Sequence, residues 1–267
     1  MKPKKYLGQN FLKNDAIVLD IVKAAEIKTD DLILEIGPGL GILTDQLVKT
    51  GAAVIAVEKD FDLITKLKRN IGEPKNLKIV HQDALWFDLN DLKKYKVVAN
   101  IPYNITSPLI RKFLESNNKP ELLVLTIQKE VAERITAKPG SSDRGLLTII
   151  VEFYAEAKII FEVSRKEFYP VPKVDSAVVK IKPHTNFGSW CGKLVQPEIF
   201  FKIVKAGFSA KRRQIHNSLG ATLRLPVDII AAVLLAAEIK PMSRAEDLTL
   251  ENWLNLYHEL KDKLGKA

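Results

Sequence analysis

Three stretches of the 267-residue chain carry side chains suited to holding a nucleoside, and a fourth carries groups suited to acting on an amine. Glu35-Ile36-Gly37-Pro38-Gly39-Leu40-Gly41 sets three glycines where a strand should turn into a helix. Such a turn lets the backbone bend sharply and approach a ligand closely. A dinucleotide fingerprint would need a further glycine at position 42, which is Ile42, and Pro38 removes an amide that could cradle phosphate. Glu58 ends the next apolar run, where a carboxylate can accept from both hydroxyls of a ribose. Asp83 follows the third run and could accept from an adenine amino group. Each acid alone reads as readily as a helix cap or a loop charge. Their shared position at the carboxyl ends of successive strands favours S-adenosylmethionine, which has a ribose, an adenine and no pyrophosphate, over a nicotinamide dinucleotide. The fourth stretch is Asn100-Ile101-Pro102-Tyr103. The exocyclic amine of adenine is a poor nucleophile because its lone pair is delocalised into the ring. The Asn100 side-chain oxygen and the Ile101 carbonyl could draw it toward tetrahedral geometry. Pro102 fixes the turn, and Tyr103 offers a ring for stacking a flipped base. Taken alone, the same four residues read as an ordinary turn.

The elements that must position these residues follow from hydrophobic spacing. Leu32–Ile36, Ala53–Glu58, Leu77–His81, Lys96–Asn100 and Glu121–Ile127 are short apolar runs and predict buried strands. Helical spacing fills 14–27, 42–49, 60–70 and 106–116, with Asn14 as a plausible N-cap. Apolar strands alternating with helices predict an α/β domain with a mostly parallel sheet covered on both faces. Residues 146–163 and 174–182 read as β-rich and should add antiparallel strands. Pro170 and Pro172 exclude regular structure between them. After Pro183 the strands stop. Helices are predicted over 197–209, 211–221, 226–237, 243–247 and 249–263. The boundary therefore falls near 184, between a domain of residues 1–183 and a helical domain of 184–267.

Composition narrows the class. Hydrophobic residues make up 46% and charged residues 27%, ordinary globular usage that leaves enough apolar surface for a core. Cys191 is the single cysteine, so no intrachain disulfide can form, and with only four histidines no metal site is expected. The apolar run Ile229–Ala237 is far short of the roughly 20 residues that cross a bilayer. The basic start Met1-Lys2-Pro3-Lys4-Lys5-Tyr6 lacks an apolar segment behind it, so a cytoplasmic protein without membrane association is expected. The formal charge is +9, from 41 Lys and Arg against 32 Asp and Glu. The excess is local: residues 1–13 hold four lysines and 199–227 six cations, both without an acid. A polyanionic partner and a plainly solvated face fit that pattern equally well.

Together, Tyr6-Leu7-Gly8-Gln9-Asn10-Phe11-Leu12, the glycine turn, Asn100-Ile101-Pro102-Tyr103 and Phe168-Tyr169-Pro170-Val171-Pro172-Lys173-Val174-Asp175-Ser176 resemble the ribosomal RNA adenine dimethyltransferases of the KsgA/Dim/Erm superfamily. The resemblance covers nearly the whole chain. The glycine turn is common to many methyltransferases, whereas the first and last of these elements are far more specific. The resemblance implies a class I S-adenosylmethionine-dependent methyltransferase fold, Rossmann-like, with a small all-helical C-terminal domain. It implies that Asn10 and Leu12 close over the cofactor, that Gly37 and Gly39 contact it in the glycine turn, and that Glu58 and Asp83 hold its ribose and adenine. Asn100 would stand between cofactor and target. Asn100, Ile101 and Pro102 would form the catalytic turn, and Tyr103 and Phe168 would sandwich the target adenine.

Lys138-Pro139-Gly140-Ser141-Ser142-Asp143 and the stretch from Phe208 to Leu219 resemble the KsgA type, which dimethylates two adjacent adenosines near the 3′ end of small-subunit RNA. The partner implied is small-subunit rRNA in a pre-30S particle, met by a monomeric enzyme, with Lys211, Arg212 and Arg213 gripping phosphate. One departure stands out: Arg144-Gly145 replaces the family's Tyr-Gly in the substrate-side loop. A large-subunit methyltransferase of the Erm kind, or an RNA-binding assembly or transcription factor without essential catalysis, remain alternatives.

Overall fold

The computed structural model describes residues 8–185, 189–190, 193–210 and 212–264. By internal contacts the chain forms two units. One comprises the chain up to Glu133 together with Ala155–Pro183; the other comprises Arg134–Tyr154 and the chain from His184 onward.

The first unit is built on a seven-stranded sheet. Strands β2 (Leu32–Ile36), β3 (Ala53–Glu58), β4 (Leu77–His81), β5 (Lys96–Asn100) and β6 (Leu122–Gln128) run parallel; β9 (Ser176–Pro183) and β7 (Ala155–Val163) are antiparallel. The spatial order is β4-β3-β2-β5-β6-β9-β7. The chain winds outward from β2 to β4, then returns to add β5 and β6 on the other side of β2. That reversal between β2 and β5 opens a crevice at the carboxyl ends of the strands. The mostly parallel sheet with an antiparallel end is the architecture the apolar runs predict. β5 and β6 are almost wholly buried, which is why they read as continuous apolar runs.

Helices α1 (Asp15–Ala24), α2 (Ile42–Lys49), α3 (Phe61–Ile71) and α4 (Thr106–Glu115) connect and cover the strands. Asn14 caps α1 as predicted, its side-chain oxygen accepting from Ala16 N at 3.0 Å and Ile17 N at 3.4 Å. Asp60 caps α3 in the same way, accepting from Asp62 N at 3.1 Å. Val18 and Ile21 of α1 and Leu43 and Leu47 of α2 enter one core cluster with Ile33, Val98 and Val178. A two-residue ladder pairs β1 (Phe11–Leu12) with β8 (Phe168–Tyr169), ending just before Pro170.

The second unit corrects several sequence expectations. Residues 146–154, predicted as strand, form helix α6 (Leu146–Tyr154), and α5 (Lys129–Ile135) precedes it. Six of the nine residues of α6 are buried, and Phe153 and Tyr154 stack on Phe200 and Phe201 of helix α7 (Pro197–Gly207). That packing places Arg134–Tyr154 with the C-terminal helices, so a single boundary near 184 does not describe the division. Strands also do not stop at Pro183: Ser189–Trp190 and Lys193–Leu194 form a short ladder. Helices α8 (Ile215–Leu223), α9 (Val227–Ala236) and α10 (Leu250–Leu264) follow, while 243–247 holds only a 3-10 turn at Ala245–Asp247. The basic triplet precedes α8 rather than starting it. Arg212 and Arg213 are exposed in that turn, and Lys211 lies outside the described residues. Among the described residues no helix is long and apolar enough to cross a membrane.

Candidate active site

A cleft with about 1080 Å³ of space free of protein atoms, part of it open to solvent, lies at the carboxyl ends of β2 to β5. Asn10, Leu12, Gly37, Gly39, Glu58, Asp83, Asn100, Ile101, Pro102 and Tyr103 all line it. Residues far apart in sequence thus meet at one place, because four parallel strands end there side by side.

The glycine turn is shaped by close approaches. Gly39 has φ +59°, and a Cβ there would stand 2.9 Å from the Phe11 ring. Its N–H donates to Glu58 Oε2 at 3.3 Å. Gly41 has φ +96°, and a Cβ there would meet Leu67 at 2.7 Å and Ile71 at 2.6 Å, both on α3. Backbone conformation disfavours side chains at both positions, and at Gly39 the Phe11 ring also leaves no space.

Glu58 is buried, with Oε1 accepting from Asp60 N at 2.9 Å. Burial raises its pKa, opposed by the amides of Asp60, Gly39 and Lys59, with the charge of Asp60 adding to the rise. With three amides on its roughly four lone-pair sites, one site remains for a hydroxyl donor. Asp83 is anchored at both oxygens: Oδ1 accepts from Leu85 N at 2.9 Å, and Oδ2 pairs with Lys59 Nζ at 2.8 Å. Partial burial pushes its pKa up, but the bonds from Lys59 and Leu85 outweigh that and hold it below the usual carboxylate range.

The loop carrying Asp83 is also held by a residue that no motif marks. Lys112 of α4 donates to the carbonyls of Ala84 at 3.0 Å, Leu85 at 2.8 Å and Phe87 at 2.5 Å. The helix that follows the Asn100 turn thus fixes the acidic loop beside it.

At the Asn100 turn, Asn100 Nδ2 donates to the Asn10 carbonyl at 3.1 Å, which leaves Oδ1 as the acceptor turned elsewhere. Ile101 is buried, and its N–H donates to Thr126 O at 3.1 Å. Pro102 packs toward Gly37 and precedes a 3-10 turn at Tyr103–Ile105. Tyr103 is half-buried, its hydroxyl 2.6 Å from Ser176 Oγ. Ser176 lies in the last of the motif elements and fixes where the Tyr103 ring stands.

Phe168 does not join this wall. It is fully buried, packed in the core cluster with Leu12, Val163 and Val178. In the β1–β8 ladder Phe168 is paired with Leu12 and Tyr169 with Phe11, so Phe168 takes the core face and Tyr169 the outward one. The expectation that Phe168 sandwiches a base with Tyr103 is corrected on this point.

Glu35 opens the glycine-turn motif, and its carboxyl is fully buried at the cleft. Glu35 Oε2 has no hydrogen-bond partner among the described residues, and the Thr44 hydroxyl is the polar side chain nearby that opposes the effect of its burial. Burial pushes the Glu35 pKa up to about 8; Thr44 opposes the rise and Glu58 adds to it. The folded state therefore holds a proton that the unfolded chain releases near the ordinary pKa of 4.5. Stability from this group is full below about pH 4.5 and declines as pH rises toward 8. In scanning calorimetry, Glu35→Gln should flatten the fall in Tm between about pH 5 and 8, the window the raised pKa defines. An unchanged slope would show that Glu35 is ionised in the folded protein.

Three carboxyl groups, Glu35, Glu58 and Asp83, line the cleft. Lys59 is its one lysine or arginine among the described residues, and it is paired with Asp83. Such a lining suits hydroxyl, amine and cationic donors and opposes a pyrophosphate. Apolar Leu63, Ala84 and Ile101 offer surface for a purine ring. The residues present fit an adenosyl sulfonium.

A mostly parallel α/β sheet with this cleft at its strand ends defines a class I methyltransferase. The chain belongs to the ribosomal RNA adenine dimethylase family, whose model matches residues 1–262. It is similar to the ribosomal RNA small subunit methyltransferase A of Dehalococcoides mccartyi, 40% identical over 261 residues, 96% of this chain and 88% of the relative. The same-named protein of a Nostoc species is 40% identical over 269 residues, 96% of this chain and 97% of the relative. Among solved structures, a dimethyladenosine transferase from Plasmodium falciparum superposes with a TM-score of 0.80 at 30% identity, covering 95% of this chain and 98% of the other. The 23S rRNA methyltransferase ErmE superposes with a TM-score of 0.72 at 27% identity, covering 94% and 99%.

Proposed function

We propose that the protein transfers methyl groups from S-adenosylmethionine to the exocyclic amines of two adjacent adenosines near the 3′ end of small-subunit ribosomal RNA, within a pre-30S particle. The observation that carries the reading is the cleft itself: among the described residues it has three carboxyl groups, a single lysine already paired, and an Asn-Ile-Pro-Tyr turn at its side. The names borne by relatives of 38–41% identity favour the small-subunit substrate over the large-subunit one.

When bound, S-adenosylmethionine would supply a methyl group on a sulfonium, taken by the target nitrogen in line with the breaking C–S bond, with S-adenosylhomocysteine as the leaving group and the amine proton lost to solvent. The chain's part is positioning. Glu58 accepts from the ribose hydroxyls, and Asp83, fixed by Lys59 and by the Lys112 clamp on its loop, accepts from the adenine amine. Asn10 and Leu12 cover the ligand beside the turn formed by Gly37 and Gly39. Asn100 Oδ1 and the Ile101 carbonyl accept from the target amine, localising its lone pair on nitrogen. Pro102 sets the turn, and Tyr103, held by Ser176, stacks on the target ring. Exposed Arg212 and Arg213 of the second unit, with Lys211, contact phosphate. Dimethylation requires that the monomethylated product fit the same site.

Calorimetry should show binding of S-adenosylhomocysteine and none of NAD. Glu58→Ala should weaken S-adenosylhomocysteine binding roughly 10- to 150-fold, the worth of a hydrogen bond to a charged group, about 1.5–3 kcal/mol. Equal affinity in mutant and wild type would remove the ribose role from Glu58.

A further inference from the structure

The outward face of the β1–β8 ladder has no part in the cofactor cleft's wall beyond Phe11, yet its composition is unusual. Tyr169 is 57% exposed. Directly opposed residues of an antiparallel pair share a face, with Cβ atoms roughly 4.5–5.5 Å apart. Tyr169 therefore stands beside Phe11, whose ring covers Gly39 at the cleft. Lys13, next along the chain from β1, is exposed, and its N–H donates to Glu167 O at 2.9 Å, extending the pairing by one residue. Arg165, Lys166 and Lys173, all exposed, flank Tyr169 in sequence. The two acids of this segment are engaged locally: Glu167 accepts from Asn14 Nδ2 at 2.9 Å, and Asp175 from Arg165 N at 2.9 Å.

We infer that this face is an RNA-docking surface of the first unit, on which Tyr169 stacks a base flanking the target nucleotide while Lys13, Lys166 and Lys173 meet the adjoining phosphates. An exposed ring among cations is the combination that binds single-stranded nucleic acid without reading its sequence. The ladder ties it to the cleft: Leu12 and Phe168 are buried together beneath, so the Tyr169 backbone is paired with the residue whose ring covers the glycine turn. Burial of Phe168 and exposure of Tyr169 are two consequences of one register. The inference rests on the proposed action on RNA.

The test uses the whole protein, S-adenosylmethionine and small ribosomal particles from cells lacking this methylation. Tyr169→Ala should raise KM for the particle roughly 5- to 150-fold, as loss of one stacked base does, with kcat near that of the wild type. Tyr169→Phe, which keeps the ring, should restore KM. Affinity for S-adenosylhomocysteine and Tm should be unchanged in both, which separates docking from folding. Lys166→Gln with Lys173→Gln should flatten the salt dependence of particle binding by about 0.7 per lost phosphate contact. A wild-type KM in Tyr169→Ala, or a wild-type salt slope in the double lysine variant, would overturn the inference while leaving the methyltransferase reading intact. A wild-type protein that methylates no small-subunit RNA would overturn that reading, and the inference with it.

Discussion

Asn100→Ala is expected to lower the rate of methyl transfer by on the order of 10²–10³, the cost of removing one preorganised group that acts on charge developing in the transition state. The ground for so large an effect is orientation. Asn100 Nδ2 is committed to the Asn10 carbonyl, so the amide cannot flip without losing that bond, and Oδ1 is the acceptor left for a substrate amine. Asn100→Asp should fail as well, because a carboxylate has no N–H to give Asn10. Single-turnover kinetics at saturating cofactor would measure the rate apart from any loss of cofactor affinity. Undiminished turnover in the alanine variant would take Asn100 out of the chemistry.

The second large effect belongs to Arg144, the residue that departs from the family pattern. Its side chain is fully buried rather than turned toward substrate. Nη1 and Nη2 pair with the two oxygens of Glu152 at 2.5 and 2.6 Å, Nη1 also donates to Ala137 O at 2.8 Å, and Nε donates to Leu248 O at 3.2 Å. One guanidinium thus ties α6 to two loops within the second unit. Arg144→Ala would leave Glu152 and two carbonyls without their partner. Glu152 is 30% exposed and can take up water, so the cost is mainly that of the buried carbonyls left unsatisfied, about 1–3 kcal/mol, or a fall in Tm of roughly 2–12 °C. Arg144→Lys should rescue little, since an ammonium cannot reproduce the planar fork. Replacing both partners, Arg144→Met with Glu152→Leu, should recover only part of the loss, because no unpaired charge remains but the Ala137 and Leu248 carbonyls still lack their donor. Thermal unfolding followed by circular dichroism would decide. A single alanine variant as stable as the wild type would mean that water or a rearranged loop takes over all these bonds.

The parts legible in the sequence are those in which local pattern and burial agree. The apolar runs at 32–36, 53–58 and 96–100 are strands because both faces of a parallel sheet are covered. Their ends are legible too, and Gly37, Glu58, Asp83 and Asn100 meet at one cleft because successive parallel strands end on the same side. Leu146–Tyr154 misleads because Thr148, Ile149, Ile150 and Val151 favour strands locally, whereas packing on α7 decides for helix. Phe168 misleads for a different reason. Alternation along a strand gives two faces, but only the pairing with Leu12 shows which one is buried. Lys112 and Ser176 carry no sequence sign of their roles, since each acts on a group far away in the chain: the carbonyls of residues 84, 85 and 87 and the hydroxyl of Tyr103.

The central claim is tested most directly on the natural substrate. Small ribosomal particles from cells lacking this methylation would be incubated with the protein and isotopically labelled S-adenosylmethionine, and the RNA digested and read by mass spectrometry. Labelled N6,N6-dimethyladenosine is expected at two adjacent positions near the 3′ end of the small-subunit RNA, and should be lost in the Asn100→Ala variant. Label in large-subunit RNA alone, or in neither, would contradict the claim.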